Sequence, residues 1–300
     1  MKTGKHTITA VTRQDSKATF PEGVRVAKVD YDDDSSLADA LTGQQFLVTT
    51  LGVTAKPDTQ SKIISGAKKA GVPYIMPNGY SYPMDPDLSK VQPKVLDESR
   101  RLAALEIQQT GSSASWMFLS NGYWYEWSLA LPQAFGFAIK DRKVTFFDDG
   151  KRVITTSTWP QCGRALASLL SLPSTSTSSS GPSLSDFKNK DIAVYSFNVS
   201  QRAMLDSLHR VLGTTDSDWT ITYEPSEKRI RDGAEQLAQG DRSAFAKIIY
   251  GEIFQPSNPI SDYAATQSTA NKALGLPVDD LDEATKRVVD MVESGWNPWK

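Results

Sequence analysis

The sequence predicts an α/β fold organised around a parallel sheet. Three observations lead there. Short β-branched runs alternate with helix-like segments through the first 120 residues. Each helix-like segment is long enough for a crossover between parallel strands. At 300 residues, with 39% hydrophobic and 23% charged, the chain can bury a sizeable core.

His6 to Thr12 is β-branched with period two and reads as a strand, followed by polar Arg13-Gln14-Asp15. Val24 to Tyr31 places Val24, Val26 and Val29 between polar neighbours and ends in an acidic turn. Ser35-Ser36 is the expected cap of a short helix, Leu37 to Leu41, stopped by Gly43. Phe46 to Leu51 is a compact apolar run closed by Gly52. Thr59 to Ala70 then turns Ile63, Ile64 and Ala67 inward and Lys62, Lys68 and Lys69 outward, which predicts an amphipathic helix. Val72 to Met76 resumes as a strand before Pro77-Asn78-Gly79, a helix follows over Leu96 to Gln109, and a strand over Trp116 to Leu119.

The second half is mixed. Lys143 to Phe147, Asp148-Asp149-Gly150 and Arg152 to Thr156 read as a β-hairpin with Asp-Gly in its turn. Thr158 and Pro160 open a helix over Gln161 to Leu170. Pro173 to Pro182 is low-complexity and predicts a surface loop. Ile192 to Phe197 reads as a strand, Ser200 to Leu212 as a helix and Trp219 to Tyr223 as a strand, with helices to the end. Lys228-Arg229-Ile230-Arg231 reads as a solvated helix face. The expected division is residues 1–120 and a mixed, discontinuous segment 121–300.

Composition removes several functional classes. The net charge of −2 argues against a nucleic-acid binder, which carries a basic excess. One cysteine and two histidines leave too few ligands for a structural zinc site, so no metal is expected. The lone Cys162 cannot form an internal disulfide, which suits a reducing compartment, and no apolar run approaches the roughly 20 residues that span a bilayer. A cytoplasmic protein without membrane contact is the expectation. No G-x-S-x-G elbow occurs, and neither histidine stands in a catalytic motif.

A parallel sheet of this length suggests a nucleotide fold, which opens with a strand, a glycine-rich turn and a helix whose N-terminus holds the pyrophosphate. None of the 19 glycines is one residue away from another, so G-x-G is absent, and no Walker-type loop occurs. Read as the second strand of a Rossmann-type, doubly wound sheet, His6 to Thr12 makes the rest regular. The first strand and glycine loop would then be missing, a deficit of roughly 20–25 residues. Arg13 falls just past the strand tip, where an NADP-binding chain places a base for the 2′-phosphate, with Lys17 nearby. A solvated surface arginine is the plainer alternative. Asp30 either approaches the adenine side or only shapes an acidic turn. Thr50, Leu51 and Gly52 lie at a strand's carboxyl end, where ligands sit in open α/β sheets, although a plain turn explains Gly52 as well.

The residues also resemble a known family. Arg13 after the second strand, Val29 to Asp33 after the third, Thr50-Leu51-Gly52 after the fourth, and Val72 to Asn78 look like NmrA-like, isoflavone-reductase-like proteins. These are atypical short-chain dehydrogenases. Asn121-Gly122-Tyr123-Trp124-Tyr125-Glu126-Trp127, Asp149-Gly150 and Thr156 to Gln161 are similar to the fungal branch. The resemblance implies a Rossmann domain with a smaller α+β substrate domain, NADP(H) as cofactor, and reduction of a small, often aromatic molecule. Some relatives only sense the nucleotide, and a homodimer is compatible.

The resemblance places Thr12, Arg13, Lys17, Asp30, Thr50, Leu51, Gly52, Pro77 and Asn78 at the cofactor, and Asn121, Gly122, Tyr123 and Trp124 at the substrate. Where reductases of the family carry a catalytic lysine on the long helix, Arg100 or Arg101 stands here. Lys94 is the nearest lysine and the candidate proton donor, against an inert surface lysine. The Tyr-x-x-x-Lys pair of ordinary short-chain dehydrogenases does not occur. The aromatic run at 123–127 is either a wall facing a flat substrate or core packing.

Overall fold

The computed structural model describes residues 4–52, 55–84, 94–109, 113–175 and 181–298, without the side chains of residues 94 and 95. The described elements of the first half are β1 (Thr9–Arg13), β2 (Arg25–Val29), α1 (Asp34–Leu41), β3 (Phe46–Val48), α2 (Thr59–Lys69), β4 (Tyr74–Met76), α3 (Lys94–Gln108) and β5 (Ser115–Ser120). Then follow β6 (Tyr123–Trp124), α4 (Tyr125–Ala130), α5 (Pro132–Phe135), β7 (Phe137–Ala138), β8 (Lys143–Phe147), β9 (Val153–Ser157) and α6 (Trp159–Leu170). The last are β10 (Lys190–Ala193), β11 (Phe197–Ser200), α7 (Gln201–Leu212), β12 (Thr220–Glu224), α8 (Ser226–Ala238), α9 (Ala244–Phe254), α10 (Tyr263–Thr266) and α11 (Leu281–Glu293). Of the low-complexity stretch, residues 176–180 lie outside the described residues.

The chain forms two compact units, one of Met1–Gly79, Glu98–Phe118 and Leu170–Asp191, the other of Tyr80–Asp97, Leu119–Leu169 and Ile192–Lys300. The first holds the parallel sheets that the alternating pattern predicts. β1 pairs in parallel with β2, with Val11 opposite Ala27, and β3, β4 and β5 pair in parallel within the order β10-β5-β4-β3. Among the described residues β1 pairs with β2 alone and β3 with β4 alone, so each ends its sheet.

Local chemistry sets the helices of this unit. The N-cap of α1 is Asp33 rather than a serine: its Oδ1 accepts from Ser35 N at 2.9 Å. A carboxylate there also suits the positive end of the helix dipole, and its bonds to Ser35 and Ser36 hold its pKa below the usual carboxylate range. Leu37 and Leu41 form the buried face of α1, and Ile63, Ile64 and Ala67 that of α2. Gly66 lets the two helices approach, since a Cβ there would lie 2.6 Å from Leu37 Cβ.

The second unit carries an aromatic core that includes Tyr125, Phe135, Phe137, Phe146, Phe147, Tyr250 and Phe254. Its small sheets are β11-β9-β6 and β12-β8-β7. The expected hairpin is therefore not formed. β8 pairs with β12 in parallel and β7 antiparallel, whereas β9 pairs with β11 antiparallel and β6 in parallel. The Asp148-Asp149-Gly150 turn does bend the chain, with Asp148 and Gly150 at positive φ. Gly150 N closes the turn on Phe147 O at 2.9 Å, but other groups reach distant segments: Asp148 N donates to Glu224 O, and Gly150 O accepts from Arg202 N, each at 2.9 Å.

The strand expected at Ile192 to Phe197 divides in two, β10 and β11, which join different sheets. Arg229 is likewise not on a solvated face. It is 6% exposed, pairs with Glu224 at 3.0 Å and lies 4.2 Å over the Phe147 ring, because the apolar and cationic surfaces of one arginine both find partners there.

Candidate nucleotide and substrate sites

In the first unit a cavity of about 730 Å³ opens at the carboxyl ends of β1 and β2 and along the segment after β3. Its lining includes Thr12 and Arg13 at the end of β1, Asp30 and Asp32 after β2, and Thr50, Leu51 and Gly52 after β3. Thr59 and Lys62 of α2, the preceding Lys56, and Asp15 after β1 also line it. The residues that sequence reading assigned to a cofactor thus converge, apart from three. Lys17 is exposed beyond the cavity, and Pro77 and Asn78 lie at the end of β4, outside its lining. Asn78 ties the strand ends together: its Oδ1 accepts from Leu51 N at 3.1 Å, and its own N donates to Gln60 Oε1 at 2.7 Å.

The charges around this cavity are internally balanced. Arg13 lies 3.7 Å from Asp15, Lys56 3.4 Å from Asp32, and Lys62 2.5 Å from both Asp32 and Asp58. Lys62 and then Lys56 hold the Asp32 carboxyl below its ordinary pKa, and Asp32 and Asp58 raise that of Lys62. Sequence reading missed Lys56, Lys62 and Asp32. The only signal was the i,i+4 spacing of Asp58 and Lys62, which describes an ordinary solvated helix face equally well.

In the second unit Asn121 is buried, and its N and that of Gly122 both donate to Ser81 O, at 3.0 and 3.1 Å. With its amide turned so that both ends are satisfied, its side-chain oxygen accepts from Trp124 Nε1 at 3.1 Å and its nitrogen donates to Gly122 O at 3.1 Å. The same amide lies 2.9 Å from Cys162 Sγ. Trp124, 36% exposed, is fixed at its indole edge and meets Trp127 edge-on. Asn121 therefore positions an exposed aromatic face. Tyr123 takes the core alternative: it is buried against Tyr82 and Tyr250, and its hydroxyl donates to Ile249 O at 3.1 Å. Gly122 is required by geometry, since its φ is +63° and a Cβ would fall 2.4 Å from Thr155 O.

Burial pushes the Cys162 thiol up to about 12 and raises the Tyr80 phenol above its ordinary value. Glu126, also missed from sequence, is 1% exposed and accepts from Trp159 N at 2.9 Å and Arg287 Nη2 at 3.2 Å.

Lys94 is the first residue of α3, and its side chain lies outside the described residues. Arg100 is 1% exposed, donates from Nη2 to Asp191 Oδ1 at 2.8 Å, and stands 4.6 Å over the Phe118 ring. Arginine is a poor general acid, and this one is committed to Asp191 and the Phe118 ring. No group of three or more metal-ligating side chains occurs among the described residues, and none of their helices is long and apolar enough to cross a membrane.

Parallel strands with a strand-end cavity, its cations paired to carboxylates, define the class: an α/β nucleotide-binding fold. The comparisons with known proteins narrow it. Residues 1–124 match the NAD(P)H-binding family. The oxidoreductase aprR of Aspergillus flavus is 23% identical over 287 residues, covering 95% of this chain and 91% of its own. Among solved structures, an isoflavone reductase superposes with a TM-score of 0.70 at 18% identity, over 95% of this chain and 92% of its own. The protein described as AtPrR2 with NADP+ and (+)pinoresinol gives 0.68 at 15% identity, over 89% and 82%. The chain is thus an oxidoreductase by resemblance, with an N-terminal NAD(P)H-binding domain and the isoflavone-reductase fold.

Proposed function

We propose that this chain is a cytoplasmic, NADPH-dependent reductase of a small molecule of aromatic type. The observation that carries the reading is the strand-end cavity with Arg13, Lys56 and Lys62 around it. In this reading the adenosine end of NADPH occupies the cavity of the first unit. Arg13 meets the 2′-phosphate, Asp30 the adenosine, and Thr12, Thr50, Leu51 and Gly52 form the walls. Lys17, Pro77 and Asn78 support the same site from outside its lining. Asn121, Gly122 and Trp124 hold the substrate, Trp124 offering a fixed face for stacking and Tyr123 backing it from the core. Lys94 is the candidate proton donor. NADPH, when bound, supplies the hydride, and the protein supplies position and electrostatics.

Weak cofactor affinity of this chain is part of the reading, because no G-x-G turn in its sequence offers backbone N–H groups to the pyrophosphate. Titration with NADPH and NADH, following tryptophan fluorescence and melting temperature, tests the reading. Saturable binding with NADPH preferred supports it. A folded protein that binds neither nucleotide refutes it. One observation favours a second reading, a nucleotide-sensing regulator without turnover: the helix position resembling the catalytic lysine holds Arg100 or Arg101, and Arg100 is committed to Asp191. NADPH binding without reductase activity on flat aromatic ketones and quinones would select it.

A further inference from the structure

We infer that Asp32 is an internal counter-ion that competes with a phosphomonoester for Lys56 and Lys62, and so sets the affinity of the cavity for a phosphorylated nucleotide. The inference rests on the nucleotide reading of the cavity and adds its phosphate-holding residues.

Asp32 receives both lysines at once. Its Oδ1 lies 2.5 Å from Lys62 Nζ and its Oδ2 3.4 Å from Lys56 Nζ. The loop fixes it in place, because Asp32 N donates to Asp30 Oδ1 at 2.9 Å. Lys62 is the least exposed of the three, at 29%, and is also held by Asp58 one helical turn earlier. The local balance is therefore two ammonium groups against two carboxylates, and the remaining cation of the rim, Arg13, faces Asp15. Asp30 adds a further carboxylate to the lining.

A phosphate entering this corner has no uncompensated charge to meet. It must take the lysines from Asp32. A phosphomonoester can do so, because near pH 7 it carries about −1.5 to −2 and three acceptor oxygens, against −1 and two oxygens for the carboxylate. A ribose hydroxyl at the same place cannot. Asp32 therefore lowers the affinity for every ligand that needs these lysines, and leaves untouched those that do not. The pairs are largely exposed, so screening limits the effect to that of surface ion pairs.

The test uses adenosine 2′-monophosphate and adenosine as probes, with NADPH alongside, on the 300-residue chain and its Asp32→Asn variant. Asparagine keeps the size of the side chain and removes its charge, and the loop bond is untouched because residue 32 makes it with its backbone N–H. Removal of the competitor should tighten adenosine 2′-monophosphate by about threefold to tenfold and leave adenosine unchanged. Lys62→Gln should weaken adenosine 2′-monophosphate alone. Equal or weaker binding of that nucleotide by Asp32→Asn, with wild-type binding intact, overturns the inference and spares the nucleotide reading. If the folded wild-type protein binds neither NADPH nor adenosine 2′-monophosphate at millimolar concentration, the nucleotide reading fails and takes the inference with it.

Discussion

Replacing Gly66 by alanine sets two effects of known size against each other. Gly66 lies inside α2, where alanine is favoured over glycine by about 1 kcal/mol from backbone entropy alone. The new Cβ would stand 2.6 Å from Leu37 Cβ and 3.5 Å from the Leu37 carbonyl carbon. Apolar carbons rest at about 3.5–4.0 Å, so the two atoms must part by about 1 Å. Leu37 is fully buried, and its Cβ is joined directly to the α1 backbone, so no rotamer relieves the contact. The helices must separate, which places the cost near the top of the usual overpacking range, about 3 kcal/mol. The net effect is destabilisation by about 2 kcal/mol, or a fall in Tm of about 4–8 °C. Gly163 in α6 is the control. It has no atom within 4 Å of a built Cβ, so Gly163→Ala should raise stability by about 0.5–1 kcal/mol. Thermal scans by circular dichroism, repeated in urea because two units need not melt as one, measure both. A Gly66→Ala protein that melts at or above the wild type would refute the close-approach argument. The same displacement moves Thr59 and Lys62, both on the cavity lining.

Two further expectations concern buried polar groups. Arg100→Ala removes a guanidinium buried against Asp191 and the Phe118 ring and should lower stability by about 3 kcal/mol, whereas a catalytic role would instead show as lost turnover with unchanged Tm. Cys162 should resist thiol reagents in the native protein at pH 8, because burial raises its pKa to about 12. The raised value also fixes the sign of its pH dependence. Below the unfolded pKa, near 9, both states keep the proton and its contribution is intact; between 9 and 12 the unfolded chain loses it first, so stability falls by up to about 1.4 kcal/mol per pH unit. The buried Tyr125 and Tyr250 phenols, also raised, add to that loss at higher pH. Urea midpoints that stay flat from pH 9 to 11 would contradict this account.

Much of the first unit was legible in the sequence because its signals are local. Amphipathic spacing located α2, and apolar runs ending in Gly or Pro located β3 and β4. Arg13, Asp30 and Thr50 to Gly52 fall on one cavity because parallel strands bring their carboxyl ends together whatever the loops contain. The second unit was less legible. The Asp-Gly turn specifies a bend and leaves partner choice to segments far along the chain, so β8 took β12 and β9 took β11. Arg229 looked solvated in a basic run, and only the packing of Phe147 and Glu224 around it made it a core residue.

The sequence by itself determined the α/β class, the parallel pairing of the first strands and the residues at their ends, since periodicity and strand direction follow from the nearest few residues. The tertiary structure alone decided which strands share a sheet, that Tyr123 turns to the core while Trp124 stays exposed, and that Asp32 gathers Lys56 and Lys62. Those outcomes depend on groups distant in the chain meeting in space, where burial and Coulomb attraction act on distance rather than on sequence separation.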